Sequence, residues 1–178
     1  LGARLDAELA ERDRSLASRQ RFRFTPVISL LDSDGRPSAQ GRRFRGERWL
    51  GMRAVRWLGL QNPWSLGYGT RSLLAAARVR DAGLYIAHSE PTLWVASRLH
   101  RAGRRIGVDM EDWFSNDLMP EAQRSRPIRL LRSLEAEVLE NAAHITCTSR
   151  AMSDALARDY GIAAPAVGTL SGAADDAR

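Results

Sequence analysis

The chain has 178 residues, the length of one domain with a hydrophobic core. All 27 basic residues are arginine, and they outnumber the 21 acidic residues to give a formal charge of +6. Hydrophobic residues make up 44% and charged residues 27%, a composition that is typical of a folded water-soluble domain and argues against a disordered or membrane-embedded chain.

Apolar residues recur at helical or strand spacing, and loops rich in Gly, Pro, Asn and Ser separate these segments. Pro26 limits the regularity of the first predicted strand, because proline lacks the backbone N–H that a sheet uses. Thr70 is the predicted N-cap of a helix rich in Ala and Leu. The predicted elements are helix 4–18, strand 22–32, helix 47–58, loop 59–69, helix 71–82, strand 84–89, helix 91–103, strand 105–110, helix 126–142, strand 144–149, helix 150–161 and strand 165–170.

From residue 84 onward, short apolar strands alternate with helices of ten or more residues. Such alternation predicts right-handed βαβ units and a parallel sheet. The predicted fold class is therefore α/β, a Rossmann-like parallel sheet with helices on both faces.

Ligands of parallel α/β sheets bind at the carboxyl ends of the strands. Three carboxylates, Asp109, Glu111 and Asp112, follow one another at such a position. They could act as a general base or bind substrate hydroxyls. Equally, they could be a loop cluster that backbone N–H groups stabilise.

His88, Trp113 and Ser149 are further candidates at strand ends. His88 could exchange hydrogen bonds with a ligand or be purely structural. Trp113 could stack on a sugar ring or pack its loop onto the core. Ser149 could cap the following helix, whose free N–H groups could also bind an anion.

The sequence contains neither of the glycine-rich motifs that hold phosphates in dinucleotide-binding and P-loop proteins. Its three histidines lack the local spacing of a zinc site. We therefore predict no metal site and no bound cofactor.

Arginine is densest over residues 41–57, where aromatic residues lie among the charges. Arginine binds phosphate with two hydrogen bonds and tryptophan favours membrane interfaces, so the segment predicts contact with an anionic membrane or a phosphate group. A solvated basic face is the simpler alternative. The absence of a nucleic-acid-binding motif argues against nucleic acid as a partner. The residues of the predicted contact are Arg42, Arg43, Arg45, Arg53 and Arg56.

Five short motifs follow one another: LYIAH at 84–88, DMEDWF at 109–114, LE at 134–135, IT at 145–146 with Ser149, and YG at 160–161. In this order and spacing, the chain resembles the N-terminal domain of GT-B glycosyltransferases of the family 4-like group. The resemblance covers residues 70–165.

The resemblance implies a retaining, metal-independent transferase with two Rossmann domains. The hydroxyl acceptor would bind mainly to the N-terminal domain. The nucleotide sugar, a substrate rather than a cofactor, would bind mainly to a C-terminal domain. Glu111 falls where many relatives carry a cleft histidine near the acceptor, so Glu111 and Asp112 are the implied catalytic residues. The implied acceptor-binding residues are His88, Asp109, Trp113 and Ser149.

The chain departs from the family pattern at three points. No opening strand with a glycine-rich phosphate loop is recognisable, His88-Ser89 replaces a common His-Asp pair, and no C-terminal donor domain is recognisable in these 178 residues. We therefore expect residues 1–170 to be an acceptor-side domain that lacks its first strand, followed by a flexible tail over 171–178. Alone, it should be inactive as a transferase.

Two other functions stay open at this point. The chain could be a non-catalytic Rossmann-like module that docks on a partner or an anionic membrane, or half of a sugar-nucleotide epimerase. Because the chain lacks an initial Met and a signal peptide pattern, we expect a fragment of a cytoplasmic protein, which could lie at the inner face of the membrane. The single cysteine, Cys147, cannot form an internal disulfide, in keeping with a reducing compartment.

Overall fold

A computed structural model describes residues 27–32, 34–117, 119–123 and 126–168. The helices are α1 (Ala39–Leu58), α2 (Thr70–Arg78), α3 (Glu90–His100), α4 (Pro120–Gln123), α5 (Ile128–Asn141) and α6 (Arg150–Tyr160), and the strands are β1 (Tyr85–Ala87), β2 (Ile106–Met110), β3 (His144–Cys147) and β4 (Ala166–Val167). Within these described ranges, no helix is both long enough and apolar enough to cross a membrane.

The four strands form one parallel sheet in the order β1-β2-β3-β4. Ala87 of β1 lies opposite Val108 of β2, and Asp109 of β2 lies opposite Thr146 of β3. Parallel neighbours need a long connection that returns the chain to the same end of the sheet, and helices provide it here. The predicted α/β class with a Rossmann-like parallel sheet is confirmed.

The hydrophobic core lies between one face of the sheet and the helices α3, α5 and α6. Val108 and Met110 of β2 are completely buried there, together with Leu93 of α3 and Leu131 of α5. Burying a side chain of this size stabilises the fold by about 1.5–3 kcal/mol. The three helices share one face because right-handed crossovers that advance in one direction always return on the same side.

The opposite face of the sheet carries Ile86, Asp109, His144 and Thr146, with Ile86 and His144 exposed. The prediction places helices on both faces, whereas in the described residues the helices that connect the strands cover one. Polar side chains can therefore occupy the second face near the strand ends.

Helix α1 begins at Ala39, whereas the sequence predicts a start at residue 47. Ser38 causes the early start, because its Oγ accepts a hydrogen bond from the Gly41 N–H at 2.8 Å and so caps the helix. The helix ends where Gly59 adopts a left-handed conformation with φ of 65°.

The predicted N-cap role of Thr70 is wrong. Gly69, with φ of 63°, holds the cap position before α2, and Thr70 is the first residue of the helix. The buried Thr70 hydroxyl donates instead to the carbonyl of Pro63 at 3.1 Å. The hydroxyl that the local pattern predicts to cap the helix thus forms a hydrogen bond with the preceding loop instead.

The described part of the predicted strand 22–32 forms only an isolated antiparallel bridge between Leu31 and Pro37. The chain turns back because Asp32 Oδ1 accepts hydrogen bonds from the next residues, including the Arg36 N–H at 2.8 Å.

The other predicted helices and strands from residue 84 onward are present with ends that differ by a few residues. The predicted helix 4–18 and tail 171–178 lie outside the described residues.

Helix α1 packs closely on the loop that follows it, which contains a single 3-10 turn at Pro63–Ser65. Asn62 ties the two together: its Nδ2 donates to the Gly51 carbonyl at 3.1 Å, and its Oδ1 accepts from the Ser65 N–H at 3.2 Å. A Cβ atom on Gly51 would lie 2.9 Å from backbone atoms of Trp64 and Ser65. Close packing at this point therefore requires glycine.

We expect Gly51→Ala to destabilise the fold by about 1–3 kcal/mol, because the added methyl group forces packed backbone segments apart. The matched control is Gly46→Ala in the same helix, where an added Cβ would meet no atom within 4 Å. Alanine there should stabilise the helix by about 0.5–1 kcal/mol. Urea denaturation measures both free energies of unfolding, and equal effects of the two substitutions would contradict the packing account.

Candidate functional site

The carboxyl ends of β1, β2 and β3 bring three polar side chains into one row, called here the polar row: His88, Asp109 and Thr146. Thr146 Oγ1 donates to Asp109 Oδ1 at 2.6 Å, and Asp109 Oδ2 lies 3.2 Å from His88 Nδ1. The row lies on the face opposite the core, because side chains alternate along a strand and these positions align in the register. The side chains of His88 and Asp109 are 56% and 33% exposed, so a solute can reach both.

His88 is held in place by the start of α3. Its backbone N–H donates to Thr92 Oγ1 at 3.0 Å, and the same oxygen accepts from the Ser89 N–H at 2.8 Å. The contact with Asp109 favours the tautomer with a proton on Nδ1 of His88. In that tautomer, Nε2 can accept a hydrogen bond from a hydroxyl group.

Glu111 extends the polar row beyond the end of β2. A carboxylate oxygen of Glu111 and ligand atoms of His88 and Asp109 all lie within 4.8 Å of one another. The Glu111 backbone is tied to the end of β3, since its carbonyl accepts from Thr148 Oγ1 at 3.3 Å. Imidazole and carboxylate groups in such a cluster could bind a divalent cation, although exposed acids also cluster without one.

Asp112 is exposed and is not part of the cluster formed by His88, Asp109 and Glu111. The pKa of Asp117 is raised, mainly by burial and to a lesser extent by the charge of Asp112. The two predicted catalytic carboxylates therefore have different surroundings: the Glu111 carboxylate lies beside the polar row, whereas Asp112 lies outside that cluster.

A buried carboxylate anchors this loop. Glu135 of α5 is completely buried, and its Oε1 accepts from the Ser115 N–H at 3.0 Å while its Oε2 accepts from the Tyr160 hydroxyl at 2.6 Å. Burial raises the pKa of Glu135, and burial together with Glu135 raises the pKa of Tyr160. The carboxylate thus joins the loop after β2 to the end of α6.

Trp113 packs on the same cluster. Its Nε1 lies 3.5 Å from the Tyr160 hydroxyl, and the two ring centroids are 6.2 Å apart. The contact supports the predicted packing role of Trp113. Trp113 also lines a cavity of about 430 Å³, together with Arg132 and Tyr160, and sugar stacking by Trp113 stays a prediction.

Glu135 and Tyr160 lie in the LE and YG motifs, but the sequence alone does not indicate that either residue contributes to the site. A usable signal was present in α5, where Glu135 lies among the buried residues Leu131, Leu134 and Val138. A carboxylate on the apolar face of a helix requires buried hydrogen-bond donors. The donors are the Ser115 N–H and the Tyr160 hydroxyl, which lie in segments distant in sequence and cannot be identified from the local pattern.

Ser149 caps α6, since its Oγ accepts from the Met152 N–H at 3.2 Å. This confirms the capping interpretation, and anion binding at this helix start stays a prediction.

The five arginines predicted to contact a membrane or phosphate all lie exposed on α1. Arg43 is paired with Glu47 of the same helix at 2.8 Å.

We expect the stability difference between Glu135→Gln and the wild type to depend on pH. A carboxyl group whose pKa is raised on folding binds more protons in the native state, so its contribution to stability falls as pH rises above the ordinary glutamate pKa of about 4.3. Glu135→Gln should therefore gain stability relative to the wild type between that pH and neutrality. Urea denaturation across this range measures the effect, and a constant difference would contradict it.

A matched variant, Glu135→Leu, tests the hydrogen bonds separately from the charge. It leaves the buried Ser115 N–H and the half-buried Tyr160 hydroxyl without their acceptor, and a buried donor without a partner costs about 1–3 kcal/mol. Glu135→Leu should be less stable than Glu135→Gln at every pH. Equal stability of the two variants would show that these hydrogen bonds contribute little.

A family model described as Glycosyl transferase 4-like domain matches residues 10–170. A search of curated proteins and a search of solved structures each find no match. The matched span includes all four described strands, the polar row and the loop that Glu135 anchors. The chain therefore belongs to the glycosyl transferase 4-like domain family.

Proposed function

We propose that the chain is the acceptor-binding half of a glycosyltransferase, which transfers a sugar from a nucleotide-sugar donor to a hydroxyl acceptor on a glycan or a lipid-linked molecule. The observation that carries this proposal is the polar row beside Glu111 at the carboxyl ends of the sheet, in a member of this family. The donor binds mainly to a C-terminal domain of the complete enzyme. It is a substrate, and no cofactor takes part.

The chemistry needs a group that positions the acceptor hydroxyl and one that takes its proton. Transfer breaks the bond between the anomeric carbon and the diphosphate and forms a bond from that carbon to the acceptor oxygen. The hydroxyl proton passes to Glu111 or Asp112, whose exposed carboxylates are accessible to substrate. His88, oriented by Asp109, accepts a hydrogen bond from the acceptor through Nε2.

Trp113 and Ser149 complete the proposed acceptor site, Trp113 through its ring at the cavity edge and Ser149 at the start of α6. We place the enzyme in the cytoplasm. Cys147 is a free and buried thiol, which is compatible with a reducing compartment.

We expect Glu111→Gln or Asp112→Asn to lower sugar transfer by the full-length enzyme about 100-fold or more, because a positioned base contributes a factor of that order. The melting temperature should not fall, since both side chains are exposed. Asp81→Asn is the matched control, because this acid is 97% exposed in its side chain and lies outside the cluster at the strand ends. Unchanged turnover in both site variants would show that Glu111 and Asp112 are not catalytic.

Transfer should not require a metal ion. Dialysis of the full-length enzyme against EDTA is expected to leave its rate unchanged. If activity were lost and then restored by Mg²⁺ or Mn²⁺, the cluster of His88, Asp109 and Glu111 would instead be the place to look for metal ligands.

A further inference from the structure

Helix α1 presents a surface that is both apolar and basic. Trp49 and Trp57 are 54% and 69% exposed, although side chains of this size are usually covered. Leucines beside them are exposed to a similar extent. We call this surface the α1 patch, and it consists of Trp49, Leu50, Trp57, Leu58, Leu60, Arg42, Arg43, Arg45, Arg53 and Arg56.

The buried side of α1 faces the rest of the protein. Phe44, Gly51 and Val55 lie on that side and are buried. At about 100° of rotation per residue, the five arginines and both tryptophans fall on the outward half of the helix. The charges and the aromatic rings of this helix therefore share one surface rather than occupying opposite faces.

Arg53 connects the two kinds of side chain. Its guanidinium carbon lies 4.1 Å from the centroid of the Trp49 ring and 4.8 Å from that of Trp57. Such stacking holds the arginine cation in contact with both aromatic rings on the surface of the helix. Beside them, Leu50, Leu58 and other apolar residues line an open trough.

We propose that the α1 patch docks the protein on a bilayer surface rich in anionic phospholipid. Exposed tryptophan and leucine insert at the level of the headgroups, while arginines on the same surface contact lipid phosphates. Charge complementarity favours this partner: Glu47 is the one acidic residue of α1, and it is already paired with Arg43. A helix of 20 residues is about 30 Å long and can lie along the membrane plane.

Vesicle sedimentation tests the proposal with the purified full chain. We expect binding to phosphatidylcholine vesicles that contain phosphatidylglycerol, and little binding to phosphatidylcholine alone. Binding should weaken steeply with salt, since the screening length shrinks from about 10 Å at 0.1 M to about 3 Å at 1 M. Together, Arg45→Gln, Arg53→Gln and Arg56→Gln should reduce affinity about 100-fold, because each arginine near an anionic surface contributes about fivefold.

The matched control is a second triple variant, Arg78→Gln, Arg105→Gln and Arg129→Gln, which removes the same charge from exposed positions outside α1. It should bind vesicles nearly as the wild type does. The double variant Trp49→Ser and Trp57→Ser keeps every charge and should also lose binding. Unchanged melting temperatures confirm that the variants are folded.

Equal vesicle binding by the two arginine triples, or binding that ignores salt, would overturn the proposal. A concentration-dependent dimer that Trp57→Ser abolishes would overturn it as well, because a second copy would then cover the α1 patch. These measurements need neither donor nor acceptor. Their failure would leave the proposed transferase function standing, and loss of transfer activity alone would leave membrane docking standing.

Discussion

The alternation of side chains along β2 determines the chemistry of both faces of the sheet. Val108 and Met110 are completely buried beneath α3 and α5, so a shift of one residue in register would bring a carboxylate into the core. Asp109 must therefore point to the other face. There it meets Thr146 of β3 and His88 beyond β1, because parallel pairing aligns the three positions. The polar row is thus a consequence of how the apolar core holds the central strand.

A second buried contact links the core to the loop that carries the candidate catalytic acids. Glu135 accepts hydrogen bonds from the Ser115 N–H and the Tyr160 hydroxyl, and so connects α5, α6 and this loop. A buried carboxylate is costly unless donors surround it, and this cost restricts the positions that the loop can take. The acids themselves stay exposed just before the anchored segment, where a substrate can reach them.

Much of the fold could be predicted from sequence, because strand and helix periodicities from residue 84 onward are strong and local. The carboxyl-end rule also selects His88, Asp109 and Glu111, whose side chains the structure brings together. Tertiary partners could not be predicted: Thr70 bonds a loop carbonyl instead of capping α2, and Glu135 finds donors in distant segments. The order of the strands, which puts the connecting helices of the described residues on one face of the sheet, is likewise not contained in any local pattern.

The central claim is that the polar row belongs to the acceptor side of a sugar transfer. The most direct test is steady-state kinetics of Asp109→Asn in the full-length enzyme, with acceptor and donor varied separately. A hydrogen bond to a charged group contributes about 1.5–3 kcal/mol, so kcat/KM for the acceptor should fall about 10- to 100-fold while KM for the donor stays unchanged. Unchanged acceptor kinetics, or a loss confined to the donor, would contradict the account.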